Sequence, residues 1–220
     1  MRSNFNYSAW RQKFEYCGWK YEKHLNIQLN LDNMNVDDVL SGMKYNRRRE
    51  IKLSYKEKAI ARLAKNEKEV TQLYEMLKKL YDERVKLPLN PLSFFLNYYK
   101  SDIGRVFVVL HNDIIIGGAF CVYHENMSIY TMSYVGLRDY HKKIFPTHIA
   151  IMKIIEFAIE KKLKKVDFMG AGKPDIAYGV RDFKLQFGGA LVEHGRCKII
   201  FNRLLYKIGV LGVKILSKIK

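Results

Sequence analysis

One stretch, residues 165–189, constrains the fold more than any other part of this chain. It reads KVDFMGAGKPDIAYGVRDFKLQFGG. An apolar strand with Val166 and Phe168 leads into a glycine-rich break, and a short helix then ends at Gly188-Gly189. A strand that opens onto a glycine-bounded helix places polar groups at a sheet edge, where α/β proteins commonly hold their sites.

The composition indicates a globular protein with a polyanionic partner. The chain has 220 residues, of which 48% are hydrophobic, so it has room for one large domain or two small ones with a proper core. The formal net charge of +17 favours a partner such as nucleic acid, anionic lipid or a phosphorylated substrate. The alternative is that the lysines serve only solubility.

The sequence predicts a reduced, cytoplasmic protein without a metal or other cofactor. Its three cysteines, Cys17, Cys121 and Cys197, are widely spaced and odd in number. The six histidines show no metal-ligand spacing. The N-terminus lacks an apolar signal core, and no window approaches the roughly 20 apolar residues of a membrane span.

Hydrophobic periodicity in the first half of the chain alternates between helix and strand. Residues 8–17 favour a short helix capped by Ser8, and residues 21–31 alternate as a half-buried strand. Asn35 and Asn66 are expected to cap two further helices.

The second half begins with a β pattern. Three apolar segments joined by tight turns, at residues 105–110, 114–123 and 127–135, predict an antiparallel meander at the centre of the sheet. A helix that is apolar nearly all round follows from Pro146 to about Lys162, and residues 191–201 are expected to form one last strand.

Basic residues concentrate in two places. In residues 44–58, Arg47, Arg48 and Arg49 follow one another on a predicted helix, where neighbours lie about 100° apart. At least one of them should therefore point toward protein or ligand. The second concentration is the C-terminal segment.

The segment 201–220 predicts a basic amphipathic helix after a single domain at residues 1–200. Its apolar face consists of Phe201, Leu204, Leu205, Ile208, Leu211, Ile215, Leu216 and Ile219. Its charged residues are Arg203, Lys207, Lys214, Lys218 and Lys220. Such a helix fits a peripheral anchor at the inner face of the plasma membrane. The other interpretation, a helix docked on the domain, stays open.

Several motifs together resemble one family. They are LNIQLNLD at residues 25–32, MKYNRRREIK at 43–52, YDERVKLPL at 81–89 and VDFMGAGKPDIAYGVRDFKLQFGG at 166–189. In the last, the spacing of Gly179, Phe183, Lys184, Phe187 and Gly188 carries most of the likeness. The chain resembles the Fem family of peptidoglycan-bridge aminoacyltransferases, and in particular the second, C-terminal GNAT-like domain of its members.

This resemblance implies a fold, a reaction and two substrates. The fold is α/β (α+β), a central mixed, mostly antiparallel GNAT-like sheet flanked by helices. The reaction is transfer of an amino acid from aminoacyl-tRNA to an amine of a lipid-linked or nucleotide-linked peptidoglycan precursor. Because the family's first domain supplies much of the precursor groove, three arrangements stay open: an incomplete acceptor site, one completed by a homodimer, or none.

Two other functions remain open. An acetyl-CoA enzyme of the wider superfamily should carry a glycine-rich loop before the buried helix, whose N–H groups hold the pyrophosphate. Here Pro146 stands where the glycines should be, which disfavours CoA as donor. The alternatives are thus a GNAT-like acyltransferase with a CoA or carrier-protein donor, and a non-catalytic basic lobe that binds membrane or RNA.

The resemblance also suggests site residues. Lys184 matches the lysine of the family's Phe-Lys motif and is expected to stabilise the oxyanion of acyl transfer, and Asp167 would orient the amine or Lys184. The alternatives are a surface lysine beside a core phenylalanine and a carboxylate that caps the glycine turn.

The expected substrate-binding residues carry positive charge or a phenol. Tyr178, Arg181 and Lys173 would contact substrate phosphate or the tRNA end, and Arg48 and Arg49 would bind tRNA phosphates or the precursor diphosphate. Arg181 could instead pair with Asp182, and Arg48 and Arg49 could instead pair with Glu50 or serve in packing.

Overall fold

The structure, a computed structural model, describes residues 6–125 and 127–219, and the side chains of residues 6–125 and 127–215. Its strands are β1 (Lys20–Glu22), β2 (Leu25–Asn30), β3 (Ile60–Leu63), β4 (Gly104–His111), β5 (Ile114–His124), β6 (Ser128–Gly136), β7 (Lys165–Gly170), β8 (Ala190–Glu193) and β9 (Arg196–Lys198).

Seven of these strands form one sheet in the order β3-β4-β5-β6-β7-β2-β8. The pairs are antiparallel except β6 with β7, which run parallel. The predicted antiparallel meander is present as β4, β5 and β6, and it fills the second to fourth positions, so that only β6 is central. Strands β1 and β9 pair separately in a small antiparallel sheet.

Helices cover both faces of the large sheet. They are α1 (Arg11–Tyr16), α2 (Val36–Gly42), α3 (Tyr45–Lys56), α4 (Glu67–Leu80), α5 (Leu92–Lys100), α6 (Pro146–Glu160), α7 (Gly179–Leu185) and α8 (Arg203–Ile219). A π-helical turn, Tyr81–Val85, follows α4. The predicted fold class, a mixed and mostly antiparallel sheet flanked by helices, is confirmed.

The core has two layers because strand side chains alternate between the faces of the sheet. On β4, Phe107 and Val109 pack with the apolar helix α6, whereas Val106 and Val108 pack with α4 and α5. Helix α6 is buried along most of its length, which its sequence predicted.

Helix caps and a close approach between strands are found where neighbouring residues in the sequence indicated them. The Asn35 side chain accepts a hydrogen bond from the Asp38 N–H in a capping box, and the Asn66 side chain caps α4 by accepting one from the Glu69 N–H. Gly118 lies so close to β4 that a Cβ there would be 2.1 Å from the Phe107 carbonyl oxygen. This close backbone approach explains why a glycine occupies the position inside a strand.

Three predicted boundaries were wrong. Ser8 does not cap a helix, because its hydroxyl bonds Asn6 Oδ1 and a 3₁₀ turn over Ser8–Trp10 precedes α1. The strand expected at residues 21–31 is interrupted between β1 and β2. The strand expected at residues 191–201 is divided by Gly195, whose φ of 66° breaks the extended backbone, so that β8 pairs with β2 and β9 with β1.

Candidate active site

The sheet opens where its two parallel strands part. Strands β6 and β7 pair only from Ser128 with Lys165 to Tyr130 with Asp167. Beyond that point β6 continues to Gly136, whereas the end of β7 pairs with β2. Helix α7 joins the two separating strands, because Phe183 contacts Tyr134 of β6 and Lys184 bonds the end of β7.

Lys184 is a buried cation at this opening. It is 6% exposed, and its Nζ donates a hydrogen bond to the Gly170 carbonyl oxygen at 2.9 Å. Burial lowers the pKa of Lys184 to about 8, and the charge of Asp167 opposes that shift. The side chain is therefore mostly ammonium at neutral pH, held in a place where an ammonium is poorly solvated.

Asp167 supports the end of β7. Its carboxylate is fully buried, accepting a hydrogen bond from Gln28 Nε2 at 2.8 Å and one from the Met169 N–H at 2.7 Å. Met169 has a φ of 62°, a conformation uncommon outside glycine. The carboxylate thus stabilises a strained residue two positions along and also acts on Lys184 through its charge.

Arg181 spans the loop that follows β7. Its guanidinium donates hydrogen bonds to four carbonyl oxygens of this loop, those of Ala171, Lys173, Pro174 and Ile176. The Tyr178 ring lies over Gly172, where a Cβ would be 3.1 Å from Cδ1, and is 41% exposed. Lys173 is exposed. The structure therefore brings Lys173, Tyr178 and Arg181 together in one loop beside the opening.

Arg48 and Arg49 lie elsewhere. They line a groove of about 600 Å³ between α2 and α3 with Tyr45, Lys52 and other side chains, none of them from residues 165–189. Arg48 Nη1 lies 3.4 Å from the carbonyl oxygens of Leu40 and Ser41, and Arg49 is exposed. Arg48 and Arg49 therefore do not share this groove with Lys173, Tyr178 and Arg181.

The arginine that points inward is Arg47, which is 4% exposed. Its guanidinium carbon lies 4.7 Å from the Phe183 ring centre and 4.8 Å from that of Phe187. It donates to Glu50 Oε2 at 3.2 Å and to Gln186 Oε1 at 2.8 Å. Burial lowers its pKa, and Glu50 opposes the shift.

His148 completes this buried group. It hydrogen-bonds Arg47 through Nε2 and stacks on Phe145 with ring centres 5.2 Å apart. Burial, and then the Arg47 charge, lower the pKa of His148 to about 3, so the ring is neutral at physiological pH. Because Nε2 accepts from Arg47, Nδ1 carries the proton. Nδ1 lies 3.4 Å from Glu50 Oε2 without hydrogen-bonding geometry.

The Arg47 cluster was missed at the sequence level, although its spacing was visible. Arg47, Ile51 and Ser54 stand at i, i+4 and i+7, which is one face of a helix, and all three are buried. The requirement that one of the three arginines point inward was met. The helix face that contains Ile51 would have identified Arg47 as the arginine that points inward.

A pocket of about 880 Å³ lies beside the opening. Its walls come from the end of α4 with the π-helical turn, the end of β6, the loop before α6, the first turn of α6 and one side of α7. Its aromatic lining includes Tyr134, Phe145, His148 and Phe183. Its charged lining includes Arg84, Arg138 and Lys142, with Asp139 as the one acidic residue among the described residues that line it. The pocket suits a partly apolar ligand that carries negative charge.

The start of α6, at the edge of this pocket, offers few N–H donors. Pro146 is its first residue and has no N–H, and the N–H of His148 already bonds the Phe145 carbonyl oxygen. A diphosphate at this helix end would find fewer free backbone donors than a glycine-rich loop provides.

Two features are absent from the part of the chain that the structure describes. Residues 6–125 and 127–219 contain no group of three or more histidine, cysteine, aspartate or glutamate side chains placed to hold a metal. Within the same ranges, no helix is both long and apolar enough to cross a bilayer.

Comparison with solved structures shows the fold. FemX superposes with a TM-score of 0.73 at 14% identity, over 94% of this chain and 72% of that one. The C-terminal domain of a putative lysylphosphatidylglycerol synthetase from Agrobacterium fabrum gives 0.63 at 11% identity, over 95% and 70%. L-PGS from Bacillus licheniformis gives 0.62 at 12% identity, over 96% and 70%.

Comparison with sequences shows the family. No curated protein sequence matches the chain significantly. The family described as "Acetyltransferase (GNAT) domain" matches residues 41–185, a segment that runs from the end of α2 to the end of α7 and so includes Arg47, Asp167 and Lys184. The GNAT-like fold that the Fem resemblance implied is thus confirmed, and the chain belongs to the GNAT acetyltransferase-domain family of acyltransferases.

Proposed function

We propose that this acyltransferase moves an amino acid from aminoacyl-tRNA to an amine of a peptidoglycan-precursor stem peptide. The observation that carries the proposal is Lys184, a buried ammonium hydrogen-bonded to Gly170 where β6 and β7 part. Negative charge develops on the carbonyl oxygen during acyl transfer, and a positioned, partly desolvated ammonium stabilises it. The likeness to FemX over most of the chain supports the choice of reaction.

The donor would occupy the pocket beside α7. Its aromatic lining suits the aminoacyl group and terminal adenosine, and Arg84, Arg138 and Lys142 suit the phosphates of a tRNA 3′ end. The proline start of α6 counts against the pyrophosphate of CoA, for lack of N–H donors. Arg48 and Arg49 of the α2–α3 groove would contact tRNA or precursor phosphates farther away.

The reaction proceeds by nucleophilic attack. The neutral amine of the acceptor attacks the ester carbonyl carbon of aminoacyl-tRNA and forms a C–N bond. The carbonyl oxygen becomes an oxyanion, and the C–O bond to the tRNA ribose then breaks. The amine proton leaves with the ribose oxygen, so the products are an amide and a tRNA with a free hydroxyl.

The residues of the opening have different roles in the proposed reaction. In the proposal, the Lys184 ammonium turns from the Gly170 carbonyl toward the oxyanion, and Asp167 favours its charged form. Arg181 holds the loop through its four carbonyl contacts rather than binding phosphate. Tyr178 and Lys173, which are exposed on that loop, are left to contact the acceptor.

A donor-competition assay tests the proposal. Purified protein is incubated with lipid-linked precursor and either labelled aminoacyl-tRNA or labelled acetyl-CoA. We expect label in the precursor from tRNA alone, with a rate that falls steeply as salt rises. Turnover of acetyl-CoA without use of tRNA would replace the proposal by a CoA-dependent acyltransferase. No transfer from either donor would favour the non-catalytic alternative.

A further inference from the structure

The C-terminal helix α8 leaves its apolar side chains in solvent. Six residues of the predicted apolar face are 48–90% exposed: Phe201, Leu204, Leu205, Ile208, Leu211 and Ile215. Tyr206, Val210 and Val213, on another side of the same helix, are less exposed at 38–42%. The helix therefore does not use its most apolar side to pack on the domain. An uncovered apolar face of this length indicates a binding surface.

Charge identifies the partner. After Glu193 the sequence contains no acidic residue, whereas Arg203, Lys207 and Lys214 line the helix beside its apolar face, and Lys218 and Lys220 follow. Covering this face with a second copy of α8 would bring cations against cations. An anionic lipid surface instead offers an apolar layer for the leucines and phosphates for the lysines. We propose that α8 is an interfacial helix that docks the protein on a bilayer containing anionic lipid.

The base of α8 is built to hold this helix in place. Asn202 Oδ1 accepts hydrogen bonds from the N–H groups of Leu204 and Leu205, each at 3.0 Å, and so caps the helix. Lys198 of β9 donates a 2.6 Å hydrogen bond to the Tyr206 hydroxyl and lies 4.4 Å from that ring centre. The helix thus has a defined start against the small β1–β9 sheet.

Aromatic side chains are also exposed near that start. Phe201, at 90% exposure, lines a shared groove with Trp19, Arg196 and Lys198. Trp10 and Tyr16 of the neighbouring N-terminal segment are 44% and 93% exposed. Tryptophan and tyrosine beside basic residues are typical of groups that lie at the headgroup level of a membrane. In this proposal residues 1–200 form the acyltransferase domain and residues 201–220 hold it at the bilayer.

The test is vesicle co-sedimentation of the full chain. Vesicles of phosphatidylcholine alone are compared with vesicles that contain phosphatidylglycerol. We expect binding to the anionic vesicles only, weakened as salt is raised. Trp10 and Trp19 are the two tryptophans of the sequence, and their fluorescence should shift to the blue on binding.

Paired variants separate the apolar from the basic contribution. Ile208→Glu with Leu211→Glu, both at 57% exposure, should weaken binding about a hundredfold or more. The matched control is Ile103→Glu with Ile114→Glu, which makes the same change at 55% and 56% exposure outside α8 and should bind like wild type. Lys207→Gln with Lys214→Gln should weaken binding roughly thirtyfold.

Three results would overturn the proposal. The first is equal binding of the Ile208→Glu, Leu211→Glu variant and wild type. The second is equal binding to neutral and anionic vesicles. The third is a concentration-dependent dimer in light scattering that the same variant abolishes, without vesicle binding, because α8 would then pair with a second copy. Donor competition in solution does not depend on these results, so failure here leaves the transfer reaction standing.

Discussion

Positive charge is buried at the opening between β6 and β7, but it is exposed on α8. At the opening, Arg47 and Lys184 are buried and surrounded by aromatic rings, carboxylates and carbonyl oxygens. On α8, Lys207 is exposed to water. Apolar side chains such as Leu211 are also exposed and do not pack fully against protein. Burying an ion is tolerated only where partners replace water, so buried cations indicate a specific local role.

The two buried cations also differ from each other. Arg47 is held between two rings and bonded to Glu50, Gln186 and His148, so much of the solvation it loses is replaced. Lys184 makes one hydrogen bond, to Gly170, and its pKa is lowered to about 8. Arg47 therefore stabilises this part of the fold, whereas the burial of the Lys184 ammonium lowers stability, a cost that the proposed role of Lys184 in acyl transfer would explain.

The largest effect should follow from Arg47→Ala. The change removes a guanidinium from between two phenylalanines and leaves Glu50 without its partner, so we expect a loss of about 3–5 kcal/mol of unfolding free energy. Urea denaturation measures it. Arg49→Ala is the control on the same helix, and its exposed side chain should change stability by less than about 0.5 kcal/mol. Equal losses would remove the distinction between the arginines.

Lys184→Met should reveal the burial penalty through pH. Because the folded pKa of about 8 lies below the unfolded value near 10.5, the unfolded chain binds more protons between these pH values. Wild-type stability should therefore rise by about 3 kcal/mol relative to the variant from pH 8 to 10.5. Lys173→Met, on the exposed loop, is the control. A pH-independent difference for Lys184→Met would contradict its desolvation.

The buried His148 should lower the unfolding free energy of the protein as the pH falls. Its folded pKa of about 3 lies below the unfolded 6.5, so the unfolded chain binds more protons as pH falls below 6.5. Wild type should lose about 2 kcal/mol relative to His148→Gln between pH 6.5 and 5. His141→Gln, an exposed histidine, is the control. The same pH dependence in both variants would show that His148 is not selectively desolvated.

The smallest effect should come from α8. Leu211→Ala changes a side chain that is 57% exposed, so the unfolding free energy should move by less than about 0.5 kcal/mol. Leu77→Ala in α4, at 1% exposure, should lose about 2–5 kcal/mol. A loss for Leu211→Ala close to that of Leu77→Ala would mean that α8 packs on the domain in solution.

Features fixed by nearby residues could be predicted from the sequence. The caps at Asn35 and Asn66 depend on contacts within one helical turn, and the Asn112-Asp113 hairpin turn uses positive φ angles of 49° and 61° at its two residues. The meander follows from three apolar segments separated by such turns. These elements were predicted correctly because no distant partner decides them.

Features that depend on contacts between residues far apart in the sequence could not be predicted in this way. Strand β9 pairs with β1 across almost the whole chain, so the division at Gly195 has no local cause beyond one glycine. The Arg181 contacts depend on the path of the loop after β7, which the sequence does not specify. Arg47 was the exception, because the stripe it shares with Ile51 and Ser54 is a local signal.

The most direct test is the rate of transfer by Lys184→Met. In single-turnover reactions with labelled aminoacyl-tRNA and saturating precursor, loss of the oxyanion partner should lower the rate about 100- to 1,000-fold, with donor affinity unchanged. Lys68→Met, an exposed lysine of α4 outside the site, should keep a rate near that of wild type. A folded Lys184→Met protein that transfers at the wild-type rate would contradict the role of Lys184 as the cation of acyl transfer.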